Sequence, residues 1–283
     1  MKSEMQDILL EFKNVTFSYE GEKINALDHV NLKIHRGRKI AFMGANGSGK
    51  STLFLCCNGI HKPDEGEIYF RGKPVAYDRK GLLDLRQGVG IVFQDPDNQL
   101  FSASVYQEIS FGAFNIGMKE EEVREEVEKV IKYLEITPFK EKPTQALSGG
   151  QKKQVSIADI LVMKPEIMIL DEPAAALDPK HTRIVNKIVD SLTEEGITVL
   201  MATHDMDYAY SWADEIVLMH EGKILKQGNP VDVCRDIESL RRTNLEEPSV
   251  LRMYSCLCEK EILQENGKIP RNLRELMEQI REV

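Results

Sequence analysis

Hydrophobic and polar residues follow two different periods along this chain of 283 residues. Between residues 12 and 34 apolar residues alternate with polar ones, which is typical of strands that bury one face. Over residues 105–163 the apolar positions recur at intervals of three and four, as at Val123, Val127 and Val130, which indicates amphipathic helices. The pattern therefore predicts a β-rich part near the amino terminus and a helical part in the middle of the chain.

Four short segments differ from both patterns, because they consist mainly of apolar residues and are typical of buried parallel strands. Each segment is followed by a residue whose chemistry suits a phosphate or a water molecule. The segments are 40–43 before Gly44, 89–93 before Gln94, 167–170 before Asp171, and 197–203 before His204. Open parallel sheets place their ligands at the carboxyl ends of their strands, so these positions are the candidate site.

The first of these positions begins a glycine-rich loop. Residues 44–51 fit the pattern G-x-x-x-x-G-K-[ST] between a strand and a helix, which is the context of a phosphate-binding loop. Its glycines allow backbone N–H groups to surround the β- and γ-phosphates of ATP. Lys50 supplies a mobile positive charge, and the Ser51 hydroxyl is an oxygen ligand suited to Mg²⁺. The residues expected to contact ATP here are Gly44, Ala45, Asn46, Gly47, Ser48, Gly49, Lys50, Ser51 and Thr52.

The other three positions carry the candidate catalytic groups. Asp171 is expected to hold Mg²⁺ through water, and Glu172 to polarise the water that attacks the phosphate. Gln94 is an uncharged oxygen donor that can touch both the Mg²⁺ ion and that water. His204 can hydrogen-bond the γ-phosphate. Taken singly, each of these residues also fits a structural role. Their order along the chain favours the catalytic interpretation, with Ser51, Gln94 and Asp171 as the magnesium ligands.

A second anion-binding element is predicted at Ser148, Gly149, Gly150 and Gln151. Ser148 can cap the helix that follows, while the two glycines permit close backbone approach and the exposed N–H groups favour an anion. This helix lies in the segment inserted between two of the buried strands. It should therefore lie away from the phosphate-binding loop of its own chain.

In order, these motifs resemble the Walker A, Q-loop, signature, Walker B, D-loop and H-loop of ATP-binding-cassette (ABC) ATPases. The D-loop likeness is Asp178 in A-L-D-P, Tyr19 matches the aromatic residue that stacks on adenine, and the resemblance covers about residues 8–228. It implies an α/β fold with a P-loop RecA-like core, a β-rich subdomain and an inserted helical subdomain. It also implies ATP hydrolysis in a dimer, in which the signature meets the γ-phosphate bound by the second subunit.

The pattern and the resemblance together divide the chain into two parts. An ABC ATPase domain is expected over residues 1–228, with its helical subdomain at about 95–165, and a short α-helical extension over 229–283. Within the extension, one helix is predicted at 231–240 and a final amphipathic helix after Pro270. The extension is interpreted either as packing for the ATPase domain or as a dimer contact.

Three further segments, at 77–82, 92–101 and 111–117, resemble the ATPase subunits of energy-coupling-factor importers, particularly the cobalt and nickel type. This likeness implies a peripheral subunit on the cytoplasmic face of the cell membrane. Its partners would be a second ABC ATPase subunit, more in keeping with a homodimer than a heterodimer, an integral membrane coupling subunit and a substrate-binding membrane subunit. The acidic loop at Asp95 and Asp97 is predicted to meet a basic helix of such a partner. The alternatives are a vitamin-import ATPase and a non-transport ABC protein acting on DNA or ribosomes.

Two positions depart from the family pattern. Gln154 stands where Arg is common after the signature, and Ala174 where Thr is usual after Glu-Pro. Neither position handles phosphate directly, so we expect a change in helix packing or coupling while hydrolysis is retained. The phosphate-binding loop and the signature are both intact in this chain, and a symmetric dimer would therefore have two working sites.

Charge and cysteine content narrow the possible partners. The formal net charge of −9 disfavours general binding to nucleic acid, which needs clustered Lys and Arg. No apolar run approaches the eighteen or so residues that would cross a bilayer, so membrane association is expected through a partner. The five cysteines lack paired spacing, so reduced thiols are expected, with a soft-metal site at Cys256 and Cys258 as the alternative.

Overall fold

The computed structural model describes residues 7–264 and 268–282. Within these ranges ten strands form two sheets. The strands are β1 (Ile8–Phe17), β2 (Leu27–His35), β3 (Lys39–Met43), β4 (Glu65–Phe70), β5 (Lys73–Pro74), β6 (Val89–Val92), β7 (Ile167–Asp171), β8 (Thr198–Ala202), β9 (Glu215–His220) and β10 (Lys223–Gly228).

Eleven α-helices lie within the same described ranges. They are α1 (Lys50–Cys57), α2 (Arg79–Gly88), α3 (Val105–Asn115), α4 (Glu120–Tyr133), α5 (Gly149–Leu161), α6 (Pro179–Glu194), α7 (Met206–Trp212), α8 (Pro230–Cys234), α9 (Ile237–Arg242), α10 (Ser249–Glu259) and α11 (Leu273–Arg281). The predicted α/β class is confirmed, since helices and strands alternate through the central part of the chain.

The smaller sheet is the predicted β-rich part. Its strand order is β2-β1-β4-β5 and its pairs are antiparallel, with Leu10 opposite Phe70 and Phe12 opposite Ile68. These four side chains are buried in one hydrophobic cluster. That cluster continues onto one face of the larger sheet through residues such as Phe42. The small sheet therefore packs against the strand that leads into the phosphate-binding loop.

The larger sheet has the order β10-β9-β3-β8-β7-β6, and all its pairs are parallel except that of β10 with β9. Strands β3, β7 and β8 are buried almost throughout, because the sheet is covered on both faces. Their parallel order brings the four predicted strand ends to one edge. Along that edge, Gly44 follows β3, His204 follows β8, Glu172 follows β7 and Gln94 follows β6.

The inserted segment between β6 and β7 contains α3, α4 and α5. The predicted apolar stripe of α4 is confirmed, because Val123, Val127, Val130 and Ile131 are all buried. They belong to the second hydrophobic cluster, which also includes Val155 of α5 and continues onto the opposite face of the larger sheet. Helix α5 is thus fixed between the inserted helices and the strands that carry the candidate site.

The carboxyl-terminal part differs from the sequence prediction in two respects. The single helix predicted at 231–240 is wrong: two short helices stand there, because the side chains of Asn229 and Asp236 each accept an N–H at the start of a new helix. Helix α10 was not predicted. The final helix is confirmed as α11, whose capping residue is Asn272.

The extension is attached to α7. The Arg271 guanidinium donates to the carbonyl oxygens of Tyr210 at 2.6 Å and Ala213 at 2.5 Å. The Tyr210 hydroxyl donates back to the Pro270 carbonyl at 3.2 Å. The backbone N–H of Ser249, at the start of α10, donates to the Asp207 carboxylate at 2.6 Å. These bonds join the extension to the helix that begins two residues after His204.

Candidate functional site

The phosphate-binding loop has a backbone that only glycine tolerates. Gly44, Gly47 and Gly49 have φ angles of 148°, 77° and 103°. A Cβ at Gly44 would lie 2.2 Å from the carbonyl oxygen of Met219, and one at Gly49 would lie 2.6 Å from that of Ala26. Conformation and close packing therefore both account for the glycines that the sequence motif contains.

Lys50 lies inside this loop. Its Nζ donates to the carbonyl oxygens of Gly44 at 2.7 Å and Ala45 at 3.1 Å, and the residue is 7% exposed. Burial lowers the pKa of Lys50, while the nearby carboxylates of Glu172 and Asp171 act in the opposite direction. The ammonium is thus held at the loop, close to the acidic groups of the site.

Two of the predicted magnesium ligands are in direct contact. The Ser51 hydroxyl donates to Asp171 Oδ2 at 2.8 Å, and the third predicted ligand, Gln94, lines one cleft together with these two residues. Among the described residues, no group of three or more His, Cys, Asp and Glu side chains is arranged to hold a metal ion. This donor set fits Mg²⁺, which takes one or two protein oxygens and completes its shell with substrate phosphates and water.

Glu172 and His204 form a pair that the sequence did not reveal. His204 Nε2 lies 2.6 Å from Glu172 Oε1, across the neighbouring strands β7 and β8. Glu172 itself has a left-handed φ of 47°, and its N–H donates to the Ala202 carbonyl at 3.1 Å. The carboxylate of Glu172 is therefore oriented by its backbone and by the imidazole together.

Tyr19 stands beside the phosphate-binding helix. Its hydroxyl is 3.1 Å from Thr52 Oγ1, and its ring meets those of Phe17 and His61 edge-on at 5.2 and 5.4 Å. The residue is 42% exposed, so an aromatic surface remains open for a planar base. The contact of His61 with Tyr19 was not predicted.

A cleft of about 260 Å³, which we call the nucleotide cleft, is lined by most of the predicted ATP-binding residues. Its lining is Tyr19, Ala26, Asn46, Gly47, Ser48, Gly49, Lys50, Ser51, Thr52, Gln94, Asp171 and Glu172. Gly44 and Ala45 are not part of this lining, although their carbonyl oxygens accept hydrogen bonds from the Lys50 ammonium. His204 instead lines an adjoining cleft that it shares with Glu172.

The signature stands at the amino-terminal end of α5 and does not line the described nucleotide cleft. Gln151 N–H donates to Ser148 Oγ at 3.3 Å, and Ser148 N–H donates to Gln151 Oε1 at 3.1 Å, which is a capping box. Gly150 lies against His181, since an added Cβ would be 2.1 Å from its ring. His181 in turn hydrogen-bonds Asp178, the D-loop residue, at 2.5 Å.

Lys153 is a functional candidate that sequence reasoning missed. It lies on α5, is 1% exposed, and its Nζ donates to the carbonyl oxygens of Phe93 at 2.9 Å and Gln94 at 2.8 Å. A signal was present in the sequence: Lys153 shares a helical face with Ile157 and Ile160, both buried. A lysine on an otherwise apolar face of a helix indicates a buried ammonium that donates hydrogen bonds to acceptors inside the protein.

Two further side chains of α5 make contacts outside the helix. Gln154 Nε2 donates to the Leu134 carbonyl at 3.1 Å, so this departure from the family pattern has a packing role against the end of α4. The Lys152 ammonium lies 2.6 Å from Asp97, and Asp95 accepts the Asp97 N–H at 3.0 Å. The carboxylates of the acidic loop are thus already engaged within the chain.

Residues 27–175 match the ABC transporter family. The chain belongs to the ABC transporter family. As an ABC ATPase it is a member of a family of ATP-hydrolysing enzymes, and the predicted family, fold class and enzyme class are confirmed. Among the described residues, no helix of this ABC ATPase is long and apolar enough to span a membrane.

Relatives of this ABC ATPase include energy-coupling-factor transporter ATP-binding proteins. EcfA3 of Clostridium perfringens is 46% identical over 258 residues, which are 91% of this chain and 90% of the relative. EcfA of Methanocaldococcus jannaschii is 42% identical over 254 residues, covering 89% and 90%. The sequence thus groups the chain with energy-coupling-factor ATPase subunits.

Two solved structures share the fold. CbiO1 of Clostridium perfringens, described as part of the ABC transporter complex cbiONQ, has a TM-score of 0.74 and 46% identity, covering 89% of this chain and 99% of its own. The cassette MJ0796, solved as a dimer in a post-hydrolysis state with ADP and Pi, has a TM-score of 0.71 and 31% identity, covering 78% and 99%.

Proposed function

We propose that this ABC ATPase binds Mg·ATP and uses its hydrolysis to drive a membrane importer of cobalt or nickel ions. The catalytic part of the proposal rests on the position of Glu172. Its Oε1 lies 2.6 Å from His204 Nε2, and it directly follows Asp171, the partner of Ser51. The cargo is supported by the 46% identity to the cbiONQ component. A vitamin importer of the same type is the alternative cargo class.

The chain's own groups divide the chemistry. The N–H groups of residues 46–51 and the Lys50 ammonium bind the β- and γ-phosphates, while Ser51, Gln94 and Asp171 supply oxygens to Mg²⁺. Mg²⁺, when bound, neutralises charge on the phosphates. Glu172 accepts a proton from the attacking water, and His204 orients Glu172 or the γ-phosphate. The adenine stacks on Tyr19.

The second half of each site comes from a second copy of this chain. The signature lies outside the described nucleotide cleft, yet its capped helix start offers N–H groups suited to an anion. Because the phosphate-binding loop and the signature are both intact in this chain, a homodimer has two equal sites and a heterodimer is not required. The D-loop residue Asp178 lies beside the signature through His181 and joins the same contact.

The carboxyl-terminal extension adds to this dimer. We assign residues 1–228 to the ATPase domain and 229–283 to the extension. Helix α11 buries Leu276 but leaves Leu273, Met277 and Ile280 exposed, and Met253 of α10 is exposed as well. These apolar side chains suit contact with the second copy, while the bonds of Arg271 keep the extension in place on α7.

A membrane subunit docks beside the inserted helices. Phe101 and Phe111 are 65% and 44% exposed and meet edge-to-face at 4.8 Å, and Phe114 is exposed nearby in sequence. Asp95 and Asp97 precede Phe101 in the same segment between β6 and α3, and this segment with its acidic and apolar residues suits a helix with basic and apolar residues. In this arrangement the ATPase is peripheral, at the cytoplasmic face of the cell membrane, and binds a coupling subunit and a substrate-binding subunit there.

The test is to purify the full-length chain with its partners from native membranes and reconstitute the complex in vesicles. The proposal expects co-purifying integral membrane proteins and ATP-dependent accumulation of Co²⁺ or Ni²⁺, which Glu172→Gln abolishes. Uptake of a vitamin without metal uptake would establish the alternative cargo. Co-purification of nucleic acid in place of membrane proteins would contradict transport altogether.

A further inference from the structure

Lys153 is a buried charge in a position that the catalytic scheme above does not use. Its side chain runs from α5 to the end of β6, where the ammonium donates to the carbonyl oxygens of Phe93 and Gln94 at 2.9 and 2.8 Å. Burial lowers the pKa of Lys153 to about 8, against the opposing attraction of Asp171 and Asp95. A buried ammonium is costly, and the two carbonyl groups are what offset this cost.

The two ends of this contact belong to different halves of the reaction. Gln94 lines the nucleotide cleft of its own chain. Lys153 lies four residues after Gly149, one turn into the helix that Ser148 caps. A single side chain therefore connects the backbone of a predicted magnesium ligand to the first turns of the signature helix.

A neighbouring glutamine strengthens the same connection. Gln99 Nε2 donates to the Ser156 carbonyl at 2.9 Å and to Asp159 Oδ2 at 3.2 Å, both on α5. Its Oε1 accepts the Phe93 N–H at 3.3 Å. The segment after β6 is thus hydrogen-bonded to α5 at two places along the helix, through Lys153 and through Gln99. A shift at Gln94 would therefore move the helix that bears the signature.

We propose that Lys153 is a positioning residue for ATP hydrolysis, which holds the Gln94 loop and the signature helix in one fixed relation. It sets where the Gln94 side chain stands in its own site and where the signature stands for the site that its chain completes in the partner. The part concerning the partner rests on the proposed dimer, whereas the contact with Gln94 is independent of it.

The test compares three variants of the full-length chain in steady-state ATPase assays. Lys153→Met keeps the length of the side chain and removes its donors, and we expect kcat to fall by roughly 10–100-fold, as for a small misplacement of a catalytic group. KM for ATP should stay within about threefold, because Tyr19 and the phosphate-binding loop are unchanged. Lys153→Arg keeps a charged donor and should recover at least about a third of the lost kcat.

Lys152→Met is the matched control. It removes the same charge from the preceding position of the same helix, where the ammonium pairs with the side chain of Asp97 at 2.6 Å. We expect its kcat to stay within about twofold of the unmodified chain, since the carboxylate of its partner Asp97 is exposed and ion pairs of exposed groups contribute little. A Lys153→Met variant with unchanged kcat, or a loss in kcat that follows a matching loss of thermal stability in both the Met and Arg variants, would overturn the proposal.

Hydrogen exchange gives a readout that needs no turnover. Without nucleotide, Lys153→Met should speed amide exchange at residues 93 and 94, whose carbonyl groups it contacts, while Lys152→Met, whose partner is Asp97, should not. With Mg·ATP, the unmodified chain should gain protection in residues 148–152 and Lys153→Met should not. Equal exchange in all variants without nucleotide would refute the contact itself, whereas a failure confined to the ATP-dependent protection of the unmodified chain would count against the proposed dimer.

Discussion

The phosphate-binding loop and the signature are both predicted to bind anions, but they differ in how complete they are within one chain. At the loop, glycine conformation, the Lys50 ammonium and the Ser51–Asp171 pair converge on one cleft. At the signature, the helix start is capped by its own residues Ser148 and Gln151 and is not part of the lining of the nucleotide cleft, and Gly149 shares a neighbouring pocket with Gln94. The loop is thus assembled within one chain, whereas the signature is a capped helix start that we propose meets a second chain.

The two regions need their glycines for different physical reasons. In the loop, Gly44 and Gly49 are needed because the chain itself fills the space around them, as the Met219 carbonyl does at Gly44, whereas Gly47 is favoured by its left-handed φ of 77°. The two glycines of the signature differ in whether packing within the chain requires them. Gly150 is packed against His181, whereas the nearest atom to a Cβ at Gly149 is Leu177 Cδ2 at 4.0 Å. Nothing inside the described part of the chain requires glycine at Gly149, so a requirement there points to a partner.

The variant expected to lower the rate of ATP hydrolysis most is at Glu172, beside the phosphate-binding loop. Glu172→Gln keeps the shape of the side chain and its contact with His204 but removes the charge that polarises water. Hydrolysis should fall by roughly 10²–10⁴-fold while ATP still binds and closed dimers accumulate. Single-turnover assays and size-exclusion chromatography with Mg·ATP measure the two consequences. Hydrolysis near the rate of the unmodified chain would remove Glu172 from this role.

A smaller effect separates the two signature glycines. Gly150→Ala should lower the free energy of unfolding by about 1–3 kcal/mol, because the clash with His181 reaches its Cβ at 2.9 Å and a rotation of the ring does not relieve it. Gly149→Ala should leave stability nearly unchanged but weaken ATP-driven dimerisation. Denaturant unfolding and light scattering measure these two outcomes. Adding His181→Ala to Gly150→Ala removes the ring contacts at 2.1 and 2.5 Å but keeps the Cβ contact at 2.9 Å, so it should restore part of the stability; no restoration would show that the packing argument is wrong.

The smallest effect concerns the helix that carries the signature. Burial raises the pKa of Asp159 on α5 to about 7, so the folded chain holds a proton that the unfolded chain releases near pH 4. Stability is therefore lost as the pH rises from about 4 to 7. Asp159→Asn removes this loss and should stabilise the chain by about 1–2 kcal/mol at pH 8, a gain that shrinks towards pH 4. Unfolding curves at both pH values test this, and an equal gain at both would contradict it.

Sequence reasoning succeeded where chemistry is local. The loop of residues 44–51 could be predicted because its glycines, lysine and serine are consecutive and their backbone geometry follows from residue type. The buried strands could be predicted because a short, uninterrupted apolar run is typical of a strand that is covered on both faces. The cap at Ser148 follows from the same kind of short-range rule and is present as a capping box.

It failed where the contact depends on which strands are neighbours. Glu172 and His204 are far apart in the sequence and meet only because β7 pairs with β8. Lys153 was not recognised because a lysine on a helix is normally solvated, and its carbonyl acceptors belong to a strand end reached through tertiary packing. The helix break near Asp236 was missed because a capping side chain can end one helix and start the next within a few residues.

Mixing two inactive variants tests whether the signature of one chain completes the nucleotide site of another. Ser148→Arg places a bulky cation at the signature, and Lys50→Ala removes the charge of the phosphate-binding loop; each should be inactive alone. In a one-to-one mixture half of the dimers contain one undamaged composite site, so activity should return to about a quarter of that of the unmodified chain. If the mixture hydrolyses ATP no faster than the two variants do separately, the signature does not act across the dimer and the account is wrong.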